Sequence, residues 1–271
     1  MQTPRLFDTH CHLDLMADAE SIASQLDAAG LGVFDCGVDP REYEAARERS
    51  QRHAGIVTGV GLHPWWIADG RCGEAEISML CDIATHERFI GEVGLDFGRR
   101  GLPAGYEDEA RAQQLAAFER LCETIATHPL PGRVLSIHAV NSAGTVLDIL
   151  EQHGLLKADG SDDESSPTTI IFHWFSGTSD DFTRARHSGC YFSINERMLA
   201  IKRGREYAKQ IRENLLLVET DHPCSPDNDC SADDLRGSLE RALRMLAEIH
   251  RLDAPSLAEV TTANAKSLFC F

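Results

Sequence analysis

The regular alternation of short apolar runs with longer segments of helical periodicity is the feature that most restricts the fold of this chain. Eight runs rich in Val, Ile, Leu and Phe are predicted to be strands buried on both faces, as in a parallel sheet. They lie at about Leu6–His12, Leu31–Val38, Ile56–Leu62, Phe89–Gly94, Val134–His138, Thr169–His173, Tyr191–Ile194 and Leu215–Glu219. Helices are predicted over Asp18–Ala29, from Pro40, over Glu107–Thr127 and over Ser231–Ile249. This order predicts an α/β fold, a single (β/α)8 TIM-type barrel.

The chain length agrees with that fold. Divided among eight units, 271 residues leave roughly 34 residues for each strand and helix, which is close to one βα repeat. We therefore predict one barrel domain over residues 1–271. The polar stretch Lys157–Pro167 is predicted to be an acidic surface insertion in that domain.

The charge of the chain limits how it can meet its partners. Asp and Glu number 43 against 26 Lys and Arg, for a formal net charge of −17. Such a chain does not bind nucleic acid through its overall field, and anionic lipids would repel it. A polyanionic substrate therefore has to be held by local cations, and no membrane partner is expected.

The cysteines and the N-terminal sequence favour a cytoplasmic protein. No charged segment followed by an apolar stretch opens the chain, and no run of about 18 apolar residues is present. The nine cysteines are scattered, and no CxxC pair occurs among them. Reduced thiols in the cytoplasm are the simplest interpretation of this pattern.

Histidines and carboxylates recur where the predicted strands end. His10 and His12 lie two residues apart on the first strand, so both imidazoles face the same side and can bind one metal ion. The ends of later strands carry Glu92, His138, His173 and Asp221. Each of these alone could be a capping or satisfied buried residue. A barrel gathers its strand ends at one mouth, so the sequence predicts that four His and two carboxylates converge there.

Six such ligands exceed what one tetrahedral zinc ion needs. They suit two divalent ions about 3.5–4 Å apart, an arrangement that favours phosphate ester hydrolysis because the attacking and leaving oxygens are both stabilised. Mixed nitrogen and oxygen donors suit Zn, Mn or Fe better than Ca. We predict two divalent ions as cofactors, with Zn, Mn and Mg as candidates and the identity left open.

An ordered set of short motifs spans nearly the whole chain. The motifs are FDTHCHLD (7–14), GLHP (61–64), GEVGLD (91–96), Gln114-x-x-x-Phe118, SIH (136–138), FHWFSG (172–177), ETDHP (219–223) and the run from Asn264 to Phe269. In this order they resemble the TatD-type metal-dependent deoxyribonucleases, a family of metal-dependent hydrolase barrels. The resemblance implies metal-dependent hydrolysis of DNA phosphodiester bonds, often exonucleolytic.

The resemblance also implies roles for individual residues. His10, His12, Glu92 and Asp221 would hold a first metal ion, and Glu92 would bridge to a second ion held by His138 and His173. Asp221 would act as the catalytic base on the attacking water, so that Asp221 and Glu92 are the catalytic residues. His63 and Trp174 are the candidate substrate-binding residues. His63 is equally explained as a turn residue, and Trp174 as a residue that packs the loops.

One departure from the family concerns positive charge. Where the family carries a His-Ser-Arg-like run, this chain has His138-Ala139-Val140-Asn141, so an arginine is missing. The cations at Arg99 and Arg100, or those at Arg197, Lys202, Arg203 and Arg205, could replace it. An ordinary solvated surface explains these residues equally well.

Three further hypotheses about the function stay open. The runs VLSIHA, FHWFSGT and GCYFSIN are similar to the QatD-like subgroup, which implies a bacterial anti-phage defence system and partner proteins from that cassette. Related barrels also hydrolyse other small esters or amides, and fold does not determine substrate. A non-enzymatic subunit of a defence complex is the third alternative.

Overall fold

The computed structural model describes residues 6–156, 168–223 and 230–270. Its strands are β1 (Leu6–Cys11), β2 (Leu31–Cys36), β3 (Ile56–Gly59), β4 (Phe89–Asp96), β5 (Arg133–Val140), β6 (Thr168–His173), β7 (Tyr191–Ile194) and β8 (Leu216–Val218). Its α-helices are α1 (Ala19–Ala29), α2 (Tyr43–Arg52), α3 (Pro64–Ala68), α4 (Glu74–Ala84), α5 (Glu107–Thr127), α6 (Ala143–Gln152), α7 (Ser179–His187), α8 (Glu196–Leu199), α9 (Lys202–Ala208), α10 (Ala232–His250) and α11 (Ala254–Phe269). Short 3-10 turns cover Leu13–Leu15, Pro40–Glu42 and Glu213–Leu215. The eight predicted strands and the four predicted helices are confirmed. The predicted insertion at 157–167 lies outside the described residues.

The chain groups into two compact units. The terminal unit comprises Met1–Cys36, Glu44–Thr58 and Phe192–Phe271, and the central unit comprises Gly37–Tyr43 and Gly59–Tyr191. The single domain over residues 1–271 stays a prediction.

In the terminal unit, parallel strand pairs are covered by helices. β1 pairs with β2, and β7 pairs with β8, both in parallel. α11 packs against β1 and β8, where its Phe269 ring stacks on Phe7 with 5.2 Å between centroids and lies 4.8 Å from that of Phe34. Strands buried along most of their length explain the continuous apolar runs of the sequence.

In the central unit, β4, β5 and β6 form parallel neighbours. β4 and β5 approach closely at Gly94, which has a φ of +140°. A Cβ atom built there would lie 2.1 Å from the carbonyl oxygen of His138. Only glycine therefore allows β4 to run beside the strand end that carries His138.

A buried arginine closes two helices of the central unit. The Arg133 side chain is fully buried at the start of β5. Its guanidinium donates to the carbonyl oxygens of Ala84 (2.7 Å) and Glu87 (3.2 Å), where α4 ends, and of Ile125 (3.3 Å) and His128 (2.8 Å), where α5 ends. Helix C-terminal carbonyls lack partners within the helix, so one side chain satisfies the ends of two helices.

Two findings on the described residues concern membrane-spanning helices and cysteines. None of the helices within those residues combines the length and the apolar character needed to cross a bilayer. The eight cysteines that the structure describes are free thiols.

Candidate metal centre

Three predicted ligands meet in the terminal unit. His10 and His12 extend from β1, and Asp221 follows β8. The Asp221 Oδ1 atom lies 3.4 Å from Nε2 of His12 and 3.9 Å from Nε2 of His10. Both imidazoles are buried, and the Asp221 side chain is 18% exposed. Two imidazole nitrogens and a carboxylate oxygen within 4.8 Å of one another form a donor set suited to a divalent ion.

Backbone hydrogen bonds hold this group of ligands together. The Asp221 N–H donates to the carbonyl of His10, and the His12 N–H donates to the carbonyl of His222, both at 2.8 Å. The Nδ1 atom of His12 lies 2.7 Å from the carbonyl oxygen of Cys36. Because a carbonyl only accepts, Nδ1 carries the proton, and Nε2 is left as the donor to a metal ion.

Arg197 contacts the loop that presents Asp221. Its guanidinium donates to the carbonyl of Thr220 at 2.7 Å and to Oδ2 of Asp221 at 3.1 Å. Asp221 has a φ of +53°, a left-handed conformation that is uncommon for aspartate. The contacts from Arg197 therefore fix both the backbone before Asp221 and one of its carboxylate oxygens.

Asp8 supports the same loop from β1. Its carboxylate accepts from the Thr220 N–H at 3.0 Å and from the Thr220 hydroxyl at 2.6 Å. Complete burial raises the pKa of Asp8 to about 7, although these hydrogen bonds act in the opposite direction. Asp8 thus positions the residue that precedes Asp221.

A second group of predicted ligands lies in the central unit, around Glu92 of β4. The Oε1 atom of Glu92 lies 2.6 Å from Nδ1 of His138, 2.7 Å from Nε2 of His173 and 3.4 Å from Nε2 of His63. Glu92 is 1% exposed, and the three histidines are buried as well. One carboxylate surrounded by imidazoles provides a second donor set for a divalent ion.

Asp96, at the end of β4, lies behind His138. One of its carboxylate oxygens, Oδ2, lies 3.2 Å from Nε2 of His138 and accepts from the indole N–H of Trp65 at 2.5 Å. Burial alone would raise the pKa of Asp96, but the hydrogen bonds from His138, Trp65 and Gly98 lower it below its ordinary value. Burial lowers the pKa of His138, yet Glu92 and Asp96 together raise it above its ordinary value. These carboxylates orient the His138 ring from both sides.

The six predicted metal ligands thus fall into two groups of three, one in each unit. Their convergence at one mouth stays a prediction. His63 joins the central group, while Trp174 follows β6 with a φ of +39° and is half-buried. The sequence assigned no role to Asp8, and it offered Arg197 as a cation that could replace the missing arginine or as an ordinary surface residue, but not as a contact of Asp221. The alternation that places Asp8 on the same strand face as His10 was the available signal.

Comparison with known proteins agrees with this chemistry. A family model described as "TatD related DNase" matches residues 7–270. The uncharacterized metal-dependent hydrolase YabD of Bacillus subtilis is 25% identical, with 97% of this chain and 98% of that protein covered. The 3'-5' ssDNA/RNA exonuclease TatD of Citrobacter rodentium is 26% identical, with 97% of each chain covered.

The fold has a solved counterpart. The crystal structure of YJJV, a TatD homologue from Escherichia coli K12, matches with a TM-score of 0.78 at 18% identity and covers 100% of both chains. This likeness and the alternating parallel strands and helices confirm the predicted α/β (β/α)8 barrel.

Proposed function

This chain belongs to the TatD related DNase family of metal-dependent hydrolases, and we propose that it hydrolyses phosphodiester bonds of DNA with two divalent metal ions. The observation that carries the proposal is the environment of Glu92. Its buried Oε1 atom lies within 3.4 Å of three imidazole nitrogens. Together these atoms form a set of donors that suits a divalent ion. Exonucleolytic cleavage is proposed by analogy with the C. rodentium relative, whose name describes an exonuclease.

Each group of ligands would hold one ion. His10, His12 and Asp221 would hold the first ion, and Glu92, His138 and His173 would hold the second. Their nitrogen and oxygen donors leave Zn, Mn and Mg as candidates. When bound, two such ions stabilise negative charge on the attacking and leaving oxygens of a phosphodiester.

Two carboxylates and two further side chains complete the proposed machinery. Asp221, partly exposed on its loop, would accept the proton of the attacking water, while the deeply buried Glu92 serves as a ligand. His63, 3.4 Å from Glu92, and Trp174, after β6, are the proposed contacts to the phosphate and the base of the substrate.

The test joins metal analysis to a nuclease assay. Wild-type protein should carry divalent metal and release nucleotides from DNA, and Glu92→Ala should lose the ion of the Glu92 group together with the activity. Glu119→Ala is the matched control, because Glu119 also faces an imidazole, that of His153 at 3.0 Å, but at the surface. Metal-loaded wild-type protein that leaves single- and double-stranded ends intact would refute the nuclease assignment. Cleavage of small esters or amides in the same panel would support the alternative substrate class.

The narrower assignments stay predictions. These are the QatD-like subgroup, a role in anti-phage defence with partners from that cassette, and location in the cytoplasm. The free thiols of the described cysteines fit the reduced state on which the last prediction rests.

A further inference from the structure

Arginines in this acidic chain commonly face carboxylates. Arg49 pairs with Asp14 and Asp35, for example. Arg100 is different: it is exposed, and within residues 6–156, 168–223 and 230–270 it forms no ion pair. Its guanidinium instead lies over the indole ring of Trp65, with Cζ 3.8 Å from the ring centroid. This stack positions a cation without neutralising it.

The stack is anchored to the central group of ligands. The indole N–H of Trp65 donates to Oδ2 of Asp96 at 2.5 Å, and the same oxygen faces His138. The rings of Trp65 and His138 meet edge to face, with centroids 5.8 Å apart. The indole of Trp65 therefore contacts both the guanidinium of Arg100 and the ring of a proposed metal ligand.

We propose that Arg100, held by its stack on Trp65, binds a backbone phosphate of the DNA substrate adjacent to the phosphate that is cleaved. The inference rests on the proposed function and names a residue that recognises the substrate. A stacked guanidinium keeps its N–H edge available, and that planar edge matches two phosphate oxygens. Because the indole of Trp65 contacts both Arg100 and His138, this cation lies near the ligands proposed to hold the metal ion. Arg100 thereby supplies the positive charge that the run His138-Ala139-Val140-Asn141 lacks.

The chain offers a matched control for this proposal. Arg71 lies over the ring of Trp66, with Cζ 4.1 Å from the centroid, but its guanidinium also pairs with Asp69 at 2.7 Å. Replacing Arg71 removes a stacked arginine whose charge is already matched. Arg71→Gln and Arg100→Gln therefore differ in whether the lost cation has a carboxylate partner.

The experiment compares two substrates. One is a single-stranded oligonucleotide, and the other is bis(p-nitrophenyl) phosphate, a diester without a neighbouring phosphate. Arg100→Gln should raise KM for the oligonucleotide about tenfold, with kcat and metal content unchanged. The slope of log KM against log salt should fall by about 0.7, which corresponds to one phosphate contact on a single strand. Cleavage of the small diester should be unchanged, and Arg71→Gln should behave as wild type.

Arg100→Lys separates charge from stacking, because lysine keeps the charge but lacks the planar group. It should recover only part of the lost affinity. The proposal is overturned by an unchanged KM, by an equal loss on the small diester, by an equal loss in Arg71→Gln, or by full recovery with lysine. Oligonucleotide binding, followed by fluorescence anisotropy, keeps the test independent of cleavage. If wild-type protein binds DNA but cleaves neither substrate, the proposed function fails, and the binding difference between wild type and Arg100→Gln still decides this proposal.

Discussion

The two groups of ligands differ in how their carboxylates are held. In the central unit, Glu92 is 1% exposed and lies 2.6 and 2.7 Å from His138 and His173. In the terminal unit, Asp221 is 18% exposed, and its nearest ligand imidazole, that of His12, is 3.4 Å away. A carboxylate enclosed by imidazoles is suited to holding a metal ion, whereas one presented on a loop is also open to water. Glu92 is therefore suited to act as a metal ligand alone, whereas Asp221 can also accept a proton from water.

The largest expected effect tests that separation directly. Glu92→Gln and Asp221→Asn each remove one charge with little change of shape, and each should lower kcat on DNA by about 10³-fold or more. Metal analysis should distinguish them, because each variant should lose the ion of its own group and keep the other. If each variant lost both ions, the proposal that each group of ligands holds its own ion would be wrong. Thermal unfolding of the apo proteins serves as the control for folding.

The next effect concerns the residues behind the ligands. Asp96→Asn removes a carboxylate that orients His138, so metal affinity or activity should fall about 10- to 100-fold. His12 is oriented by the backbone carbonyl of Cys36, which no side-chain change removes. Cys36→Ser should therefore have the smaller effect, although its thiol lies 3.4 Å from Nδ1 of His10. Metal titrations of both variants check this order. Equal losses of metal affinity would show that side chains behind the ligands matter equally in the two groups.

A smaller effect is expected at the loop of the terminal unit. Arg197→Gln removes the hydrogen bonds to Thr220 and to Oδ2 of Asp221. We expect kcat to fall about tenfold with KM little changed, because the catalytic base is less firmly oriented. Arg197→Lys should restore part of kcat. A rise in KM alone, measured under steady-state conditions, would instead make Arg197 a substrate contact.

The smallest effect comes from a histidine with carboxylate partners that lies outside both groups. His53 faces Asp27 at 2.7 Å and Glu20 at 3.1 Å. Burial lowers the pKa of His53, but the two carboxylates raise it above its ordinary value. The resulting stabilisation is present below the pKa of the unfolded chain and disappears as pH rises through the higher pKa of the folded state.

His53→Gln should therefore lower the free energy of unfolding at about pH 5.5, by less than about 1 kcal/mol, and leave it unchanged at about pH 9. Urea unfolding at both pH values measures the difference. A loss that is the same at both pH values would show that packing, not charge, is responsible. Metal content should be unaffected, because His53 belongs to neither proposed metal site.

Whether the sequence alone could assign a role to a residue depended on whether that role is visible in the local sequence pattern. His10, Glu92 and Asp221 were assigned because each lies at or near the end of an apolar run that the sequence predicts to be a strand, a position that the local pattern reveals. The contacts of Arg197 with Asp221, and of Trp65 with Asp96, join residues 24 and 31 positions apart. No local period records such a contact, since loop conformation decides where these side chains reach.

The side chain of Arg133 also limits how the chain length can vary. Its guanidinium donates to carbonyl oxygens at the ends of α4 and α5. These hydrogen bonds form only if both helices end at their present positions. One residue inserted into α5 would rotate its last carbonyls by about 100° about the helix axis and carry them out of reach. Insertions and deletions should therefore be tolerated in surface loops, while the lengths of these two helices stay invariant among functional variants.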